Sequence, residues 1–331
     1  MTMHITRRRL LAGTASALAA PAILPHRAMA ATTLTLGHGA APGNPRTVAA
    51  QEFAKLANEK TQGRVTVNIA GSEQLGNDVA MLTSLRTGAL DISANSQGAA
   101  SGLVPELATL GLPFLFEDSA AAFRVLDGPV GAELGEKFAA VGIVPLGWWD
   151  NGIRHITNSK KPINTPADLQ GLTIRTPADP MTIDIFQALG AATEQIAFSE
   201  LYVALQQGVV DGQENPLANI ASSKIYEVNK FISLSGHKWE CNPFLISQIS
   251  VARLGADLEP LQAAAKEAGD LQRKLSLEAA TKYLAEFKAN PDLAINEVDR
   301  AAFQTATAPV VEKWQAEYSD FVTQLLSAAK S

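Results

Sequence analysis

Two polar side chains near the middle of the chain have the chemistry to hold a carboxylate. Arg175 ends a strand-like run, and Asn215 stands immediately before Pro216. A guanidinium can donate to both oxygens of a carboxylate at once, and an amide can donate to one. Chemistry alone therefore suggests a carboxylate site. The alternatives are a surface ion pair of Arg175 with Asp168 or Asp179, and helix capping by Asn215.

The elements that must position these residues alternate between strand and helix patterns from Thr33 onward. The helical apolar spacing in Pro45–Lys60 and the alternation in Val65–Ile69 begin the series. This order predicts a mainly parallel sheet covered on both faces, in two α/β lobes with a cleft between them. The other predicted elements are a helix over Asn77–Thr87, strands over Leu90–Ser93, Gly142–Trp149 and Leu172–Arg175, helices over Pro180–Leu189 and Glu200–Gln207, strands over Val209–Asp211, Phe231–Ser235 and Phe244–Val251, and helices from Pro260 to the end with one break at Asn290-Pro291.

The first thirty residues have the pattern of an export signal. Arg7, Arg8 and Arg9 precede an apolar stretch and the A-x-A site that ends at Ala30. A basic segment, a short apolar segment and such a site predict a signal peptide over residues 1–30, cleaved after about Ala30. The arginines fit either a twin-arginine or an ordinary secretory signal. Both routes place the mature protein outside the cytoplasmic membrane.

The composition argues against several classes of function. The chain has 27 Lys and Arg against 33 Asp and Glu, and four of the arginines lie in the first thirty residues, which leaves a mature net charge of −10. Such a surface is a poor partner for nucleic acid or anionic membrane. Cys241 is the only cysteine, so no intrachain disulfide can form. Motifs for zinc, nucleotides or a serine nucleophile are absent, and we expect no metal, no cofactor and no enzyme activity.

Ten short segments carry a resemblance to a known family. They are Gly63–Val65, Gln74–Gly76, Gly88–Ile92, Leu112–Phe116, Asp127–Gly131, Gly147–Gly152, Asp168–Leu172, Ile174–Pro177, Phe198–Tyr202 and Gln213–Pro216. In this order and spacing, the mature chain resembles the dicarboxylate-binding-protein-like solute receptors of tripartite ATP-independent periplasmic (TRAP) transporters. The resemblance implies a two-lobe flytrap fold with hinge strands, a long connecting helix and a helical C-terminus. It also implies a periplasmic receptor that delivers a small organic acid to integral membrane transporter subunits.

The resemblance assigns lobes and anchoring residues. Residues 31–152 and about 240–331 form lobe I, and residues 153–239 form lobe II. Arg175 is implied to form the main ion pair with the ligand carboxylate, and Asn215 to donate to it. Arg154 matches a second family arginine, with a solvated surface arginine as the alternative. Phe198 matches an aromatic residue beside the ligand, with simple core packing as the alternative.

Lobe I supplies the positions where ligand-specific contacts usually fall. These predicted contacts are Asp78, Ser96, Gln97 and His38, together with Trp149 as a pocket wall. Each has an ordinary structural alternative: helix-end charge placement for Asp78, a polar loop for Ser96 and Gln97, a backbone contact for His38 and core packing for Trp149. At the second lobe crossing, His237 and Trp239 are expected to pack the hinge rather than touch ligand.

Other functions and the identity of the acid stay open at this point. The alternatives to a receptor are an extracytoplasmic enzyme that uses Asp78, Glu214 and His38, and a ligand-sensing module. Keto acids, hydroxy acids, dicarboxylates and sugar acids all fit a carboxylate anchor. Asp78 in the pocket would repel a second carboxylate, which favours a monocarboxylate with hydroxyl groups. The C-terminal helices could cover a lobe or form a homodimer.

Overall fold

The computed structural model describes residues 31–330, and the predicted signal peptide lies outside this range. Within it the chain alternates between strands and helices, as the sequence pattern predicts. The strands are β1 (Thr32–His38), β2 (Val65–Ala70), β3 (Ile92–Ala94), β4 (Ile143–Asn158), β5 (Thr173–Thr176), β6 (Ala192–Gln195), β7 (Gly212–Asn215), β8 (Phe231–Ser247) and β9 (Ala294–Glu297). The helices are α1 (Pro45–Lys60), α2 (Asp78–Thr87), α3 (Gln97–Ser101), α4 (Ser119–Leu126), α5 (Pro129–Ala140), α6 (Pro180–Ala188), α7 (Phe198–Gln206), α8 (Leu217–Ser222), α9 (Gln248–Leu254), α10 (Leu258–Ala289), α11 (Arg300–Glu317) and α12 (Ser319–Ala329).

Two parallel groups of strands are joined by two long antiparallel strands. The order is β2-β1-β3-β8-β4-β7-β5-β6, with β9 beside β8. Strand β1 is parallel to β2 and β3, and β5 is parallel to β6 and β7. Strands β4 and β8 are antiparallel to each other and to β7 and β3, their neighbours in the two groups. The sheet is therefore mixed: the pairs within each outer group are parallel, and the pairs that β4 and β8 make with each other and with those groups are antiparallel.

Several predicted strands differ from the observed ones. The segment predicted at Val209–Asp211 precedes β7, which begins at Gly212. The strand predicted to end at Val251 ends at Ser247, whose hydroxyl accepts from the backbone N–H of Ile249 (3.3 Å) and starts α9. The two strands predicted in 231–251 are a single strand, β8, because its central polar residues are buried and paired instead of forming a loop.

The predicted lobe boundaries fall where β4 and β8 pair. Gly152 lies opposite Glu240 in this ladder, with a register shift just before it. The boundaries themselves stay a prediction. Helix α10 has 32 residues and is about 48 Å long. Its first half packs on α1 and β1 through Leu261 and neighbouring alanines, and its last turn packs Phe287 near α7 and α8. Among residues 31–330, no helix combines the length and apolarity that a membrane crossing requires.

Strand register and helix caps bring the candidate site residues together. Arg175 in β5 lies beside Gln213 in the parallel strand β7, and Asn215 ends β7, so both face the carboxyl ends of adjacent strands. The Asn44 side chain caps α1 by accepting from the backbone of Arg46 (3.0 Å). The Asn77 side chain caps α2 in the same way, by accepting from the backbone of Ala80.

Candidate functional site

Two small adjoining cavities lie at the carboxyl ends of β5 and β7. Their volumes are about 40 and 60 Å³. Both are lined by Asp78 and Ser96 from the N-terminal part of the chain and by Arg175 and Phe198 from its middle. Asn215 lines the smaller cavity only. Arg154, another predicted contact, also lines the smaller cavity. The structure therefore brings six of the nine predicted ligand contacts together.

Arg175 presents a buried guanidinium to both cavities. Its side chain is 3% exposed, and its Nε donates to the carbonyl of Ile196 (2.9 Å). The guanidinium carbon lies 5.8 Å from the centre of the Phe198 ring. Within residues 31–330 the side chain makes no ion pair. Burial lowers the pKa of Arg175 to about 10, which reflects a cation held away from water without a carboxylate partner.

Neither alternative proposed for this pair of residues describes the structure. Asp179 pairs with Lys238, and the Asp168 carboxylate caps its own turn by accepting from the backbone of Thr165 (2.9 Å). Arg175 is therefore free of both. The Asn215 side chain donates to Gln213 Oε1 (2.5 Å) instead of capping α8, whose N-cap residue is Pro216.

Asn215 belongs to a row of amides that the sequence did not reveal. Asn219 donates to the side-chain oxygens of Asn215 and Asn151, at 3.1 Å each, and accepts from Asn44 (2.9 Å). Asn219 follows Asn215 by four positions, across the start of α8, and that spacing is the signal that could have identified the second amide. The row fixes the orientation of the Asn215 side chain beside Arg175.

Arg154 is held by acids of the protein itself. It is 2% exposed, and its Nη2 donates to Glu214 Oε1 (2.6 Å) and to the Glu214 carbonyl (2.8 Å). Its Nε also contacts Glu214, and its Nη1 donates to Glu240 Oε2 (2.6 Å). These contacts outweigh burial and raise the pKa of Arg154. For Glu214, burial alone would raise the pKa, but Arg154 and the hydrogen bond from His237 (3.2 Å) lower it.

A buried lysine extends this charge cluster across the molecule. The Lys238 ammonium contacts the Asp179 carboxylate and Glu240 Oε1 (2.7 Å), and it donates to Thr182 Oγ1 (2.5 Å). Burial lowers and the two acids raise the pKa of Lys238, with a net rise. Asp179 caps α6, while Lys238 and Glu240 lie in β8. The cluster therefore ties the second parallel group of strands and its helices to the long joining strands.

Asp78 and Ser96 form one hydrogen-bonded unit at the cavities. Asp78 Oδ2 accepts from the backbone N–H (3.0 Å) and the hydroxyl (2.5 Å) of Ser96, and Oδ1 accepts from Asn95 Nδ2 (3.1 Å). Because a carboxylate has about four acceptor positions, Asp78 can still accept from a hydroxyl in the cavity.

Three predicted contacts lie away from the cavity lining. Gln97 is 1% exposed, and its side chain accepts from the backbone N–H of Cys241 (3.0 Å). Trp149 is fully buried and stacks on Phe244 at a centroid distance of 4.3 Å. His38 is also fully buried, and its Nδ1 accepts from the backbone of Ala40 (3.2 Å). Burial, with the charge of Arg46, lowers the pKa of His38 to about 4. The backbone contact describes His38 and core packing describes Trp149, whereas Gln97 is the buried first residue of α3 and not part of a polar loop.

His237 and Trp239 are both buried and are not among the residues that line the two cavities. His237 bonds to Glu214 and to the Ser235 hydroxyl (2.8 Å). Their role in hinge packing stays a prediction. Trp239 Nε1 donates to Asp150 Oδ1 (2.9 Å). Burial raises the pKa of Asp150 to about 6. Among the described residues 31–330, no group of His, Cys, Asp or Glu is arranged to hold a metal ion.

The comparison with known proteins extends over almost the whole described chain. Residues 36–317 match the family described as bacterial extracellular solute-binding protein, family 7. An uncharacterised protein of Sinorhizobium fredii, y4mM, is 70% identical over 94% of this chain, which spans 58% of that relative's length. The 2,3-diketo-L-gulonate-binding periplasmic protein YiaO of Escherichia coli is 36% identical over 84% of this chain and 85% of its own.

A solved structure shares the fold. The sugar acid binding protein DctPAm of Advenella mimigardefordensis, in complex with galactonate, superimposes with a TM-score of 0.88 at 33% identity, over 91% of this chain and 98% of that one. The likeness confirms the predicted α/β fold of two lobes with hinge strands, a long connecting helix and a helical C-terminus.

Proposed function

We propose that this chain is the solute receptor of a TRAP transporter and that Arg175 and Asn215 hold the carboxylate of its ligand between the two lobes. The chain belongs to family 7 of the bacterial extracellular solute-binding proteins. The ligand is a small organic acid, which the receptor delivers to the membrane subunits of the transporter. Residues 1–30 act as the export signal, and the mature receptor works in the periplasm.

The observation that carries this proposal is the unpaired, buried guanidinium of Arg175. A buried charge without a partner is costly, and a chain keeps one only where another charge or ligand offsets the cost. Arg154 and Lys238 each have two carboxylate partners, whereas Arg175 has none within residues 31–330. A ligand carboxylate supplies what is missing, with two hydrogen bonds to the guanidinium fork.

The ligands of the relatives support a carboxylate anchor. YiaO is named for 2,3-diketo-L-gulonate, and DctPAm was solved with galactonate. Both ligands are sugar acids that share a carboxylate with hydroxyl or keto groups along a carbon chain. The cavities offer a contact for each of these groups. Arg175 can bind the carboxylate, and Asp78 and Ser96 beside it can bind hydroxyl or keto groups.

The enzyme alternative lacks an assembled acid–base site. Of its three residues, only Asp78 lines the cavities. Glu214 is fully buried against Arg154, and His38 is fully buried with a pKa near 4. We therefore propose that the ligand is bound and released unchanged, which nuclear magnetic resonance of the recovered ligand tests directly.

A thermal-shift screen of small organic acids against the mature protein tests the receptor function. A true ligand at a hundredfold excess over its Kd stabilises the folded protein by about 2.7 kcal/mol. The matched control is the neutral amide of each acid that binds, which keeps the shape of the acid and loses its charge. The carboxylate anchor is refuted if an amide stabilises the protein as much as its acid does.

The conservative variant Arg175→Lys separates the guanidinium fork from its charge. Lysine keeps a positive charge and loses the paired donors, so we expect affinity for the acid to fall about tenfold or more. Binding that is unchanged in Arg175→Lys would show that only a charge is required at this position.

A further inference from the structure

Arg46 is the second buried guanidinium at the smaller cavity that lacks an ion pair within residues 31–330, and neither composition nor resemblance pointed to it. It lies in the first turn of α1, is 6% exposed, and lines the cavity together with Arg175. Its Nη2 donates to Asn151 Oδ1 (3.3 Å), and its buried Nε has no partner. Within residues 31–330, Arg46 makes no ion pair. Burial lowers the pKa of Arg46 even though Asp78 and Glu240 act to raise it.

Glu73 brings an unexpected carboxylate to the same cavity. Its Oε2 accepts from the backbone N–H of Ser199 (2.9 Å) in the first turn of α7, whose N-cap residue Ala197 has no side-chain acceptor. Ser72 and Glu73 both adopt the left-handed region, with φ of 54° and 58°. Such a conformation costs about 1 kcal/mol or more at each residue other than glycine. The turn therefore holds the Glu73 carboxylate in place over the cavity at an energetic cost.

The charges around the cavities favour a singly charged ligand. The lining residues and the ion-pair network that joins them through Glu240 comprise four cations and five acids. The cations are Arg46, Arg154, Arg175 and Lys238, and the acids are Glu73, Asp78, Asp179, Glu214 and Glu240. One ligand carboxylate is accommodated by the unpaired Arg175. Arg46 also lacks an ion pair, but the charges of Asp78, Glu240 and Glu73 already act on it. A second carboxylate beside Glu73 and Asp78 would therefore meet like-charge repulsion.

We propose that Arg46, Glu73 and Asp78 form a specificity subsite that selects a hydroxylated monocarboxylate and rejects the matching diacid. This inference rests on the proposed carboxylate anchor at Arg175. Ligand hydroxyl groups donate to the acceptor-only carboxylates of Glu73 and Asp78, and a hydroxyl or keto oxygen of the ligand accepts from the free N–H groups of Arg46. The subsite thus reads the part of the ligand that Arg175 does not.

Two matched pairs of acids test the subsite by isothermal titration calorimetry. Erythronate and meso-tartrate form one pair, and galactonate and galactarate form the other. In each pair the diacid carries a carboxylate where the monoacid has its terminal hydroxymethyl group. The measured quantity is the ratio of the two Kd values, and we expect the wild-type protein to favour the monoacid at least about tenfold in the pair whose length it accepts.

Two variants must change that ratio in opposite directions. Glu73→Gln removes a negative charge and keeps an oxygen for the Ser199 N–H, so the preference for the monoacid should shrink about fivefold to tenfold. Arg46→Gln removes a positive charge, so both acids bind more weakly and the preference for the monoacid should grow. A variant that merely damaged the fold would weaken both acids equally and leave the ratio unchanged. The control Lys55→Gln removes a charge from α1 at an exposed position and should leave both affinities unchanged.

The outcomes separate this inference from the proposed function. Opposite shifts of the ratio support the subsite. Unchanged ratios, shifts in the same direction, or a wild-type preference for a diacid overturn it. If the screen finds a carboxylate ligand but neither pair binds, the subsite is overturned and the receptor function stands. If no carboxylate binds at all, the proposed function fails, and the subsite fails with it.

Discussion

Replacing Arg175 with methionine should stabilise the unliganded protein and abolish ligand binding. Methionine has nearly the length of the arginine stem and carries no charge, so it can fill the same position beside Phe198. The two effects have opposite signs because the guanidinium is costly without its ligand and necessary with it. This combination distinguishes a ligand anchor from an arginine that stabilises the fold.

The size of the stability effect follows from the burial of the guanidinium. Burial lowers the pKa of Arg175 from 12.5 to about 10, which corresponds to roughly 3 kcal/mol of destabilisation of the charged form. The hydrogen bond from Nε to the Ile196 carbonyl offsets about 1 kcal/mol of this. We therefore expect a net gain of about 2 kcal/mol in the free energy of unfolding, or a rise of several degrees in Tm.

The effect on binding follows from the loss of a desolvated charge pair. Truncating one partner of such a pair costs about 2–5 kcal/mol, which is a loss of about 30-fold to several-thousand-fold in affinity. Calorimetric titration with a ligand from the thermal-shift screen measures this loss, and urea unfolding without ligand measures the stability. Arg86→Met is the matched control, because Arg86 is exposed on α2 and should change neither quantity by more than about 0.5 kcal/mol.

Two results would refute this reasoning. If Arg175→Met unfolds more easily than the wild type by more than about 1 kcal/mol, the arginine stabilises the fold through contacts that outweigh its burial cost. If the variant keeps the wild-type affinity for the acid, the carboxylate does not meet this guanidinium. A stable variant that no longer binds is the expected outcome.

Three further predictions concern closure, pH and the buried charges. A Cβ at Gly98 would lie 2.2 Å from the Cβ of Asp179, so Gly98→Ala should hinder closure of the lobes. Calorimetry should then show a ligand affinity about tenfold or more weaker. The control Gly135→Ala has open space around its Cβ and should leave the affinity unchanged. Burial lowers the pKa of His38 from its ordinary value of 6.5 to about 4 in the folded protein, so the unfolded chain binds a proton first as the pH falls. The stability present above pH 6.5 is therefore lost as the pH falls towards 4, by about 2 kcal/mol at pH 5. Urea unfolding should show less of this loss in His38→Asn. Lys238→Met leaves the buried Asp179 carboxylate without its cation and removes one of the two cations that contact Glu240. It should therefore reduce the free energy of unfolding by about 3–5 kcal/mol. A loss smaller than about 1 kcal/mol in urea unfolding would contradict this ion pairing.

The anchoring residues were accessible from the sequence through their chemistry and the family resemblance. Arg175 lies near the end of a strand that the sequence predicted, whereas the strand that Asn215 ends was predicted at Val209–Asp211 instead. Asp78 follows a capping asparagine at a helix start, which fixes its position in the first turn. Their predicted roles as ligand contacts await the variants described above.

Arg46 and Glu73 carried no comparable signal. Arg46 follows Pro45 in a helix whose apolar face is otherwise regular, and an arginine there is usually solvated. Glu73 lies in a turn whose left-handed backbone is visible only in three dimensions. The hydrogen-bond partners of these two residues are far away in the sequence. Glu73 and Ser199, for example, are 126 positions apart. No local pattern encodes such a contact.

The sequence by itself determined the alternating α/β elements, because periodicity and helix caps are local properties. From local side-chain chemistry it also predicted an export signal and a carboxylate anchor. Only the tertiary structure decided which buried charges are paired. Arg154 and Arg175 look alike in the sequence, yet the pairing of β4 with β7 and β8 places Glu214 and Glu240 against Arg154. Among residues 31–330, it leaves Arg175 without an acid. Charge compensation depends on distances of a few ångströms between residues remote in the chain, and packing alone sets those distances.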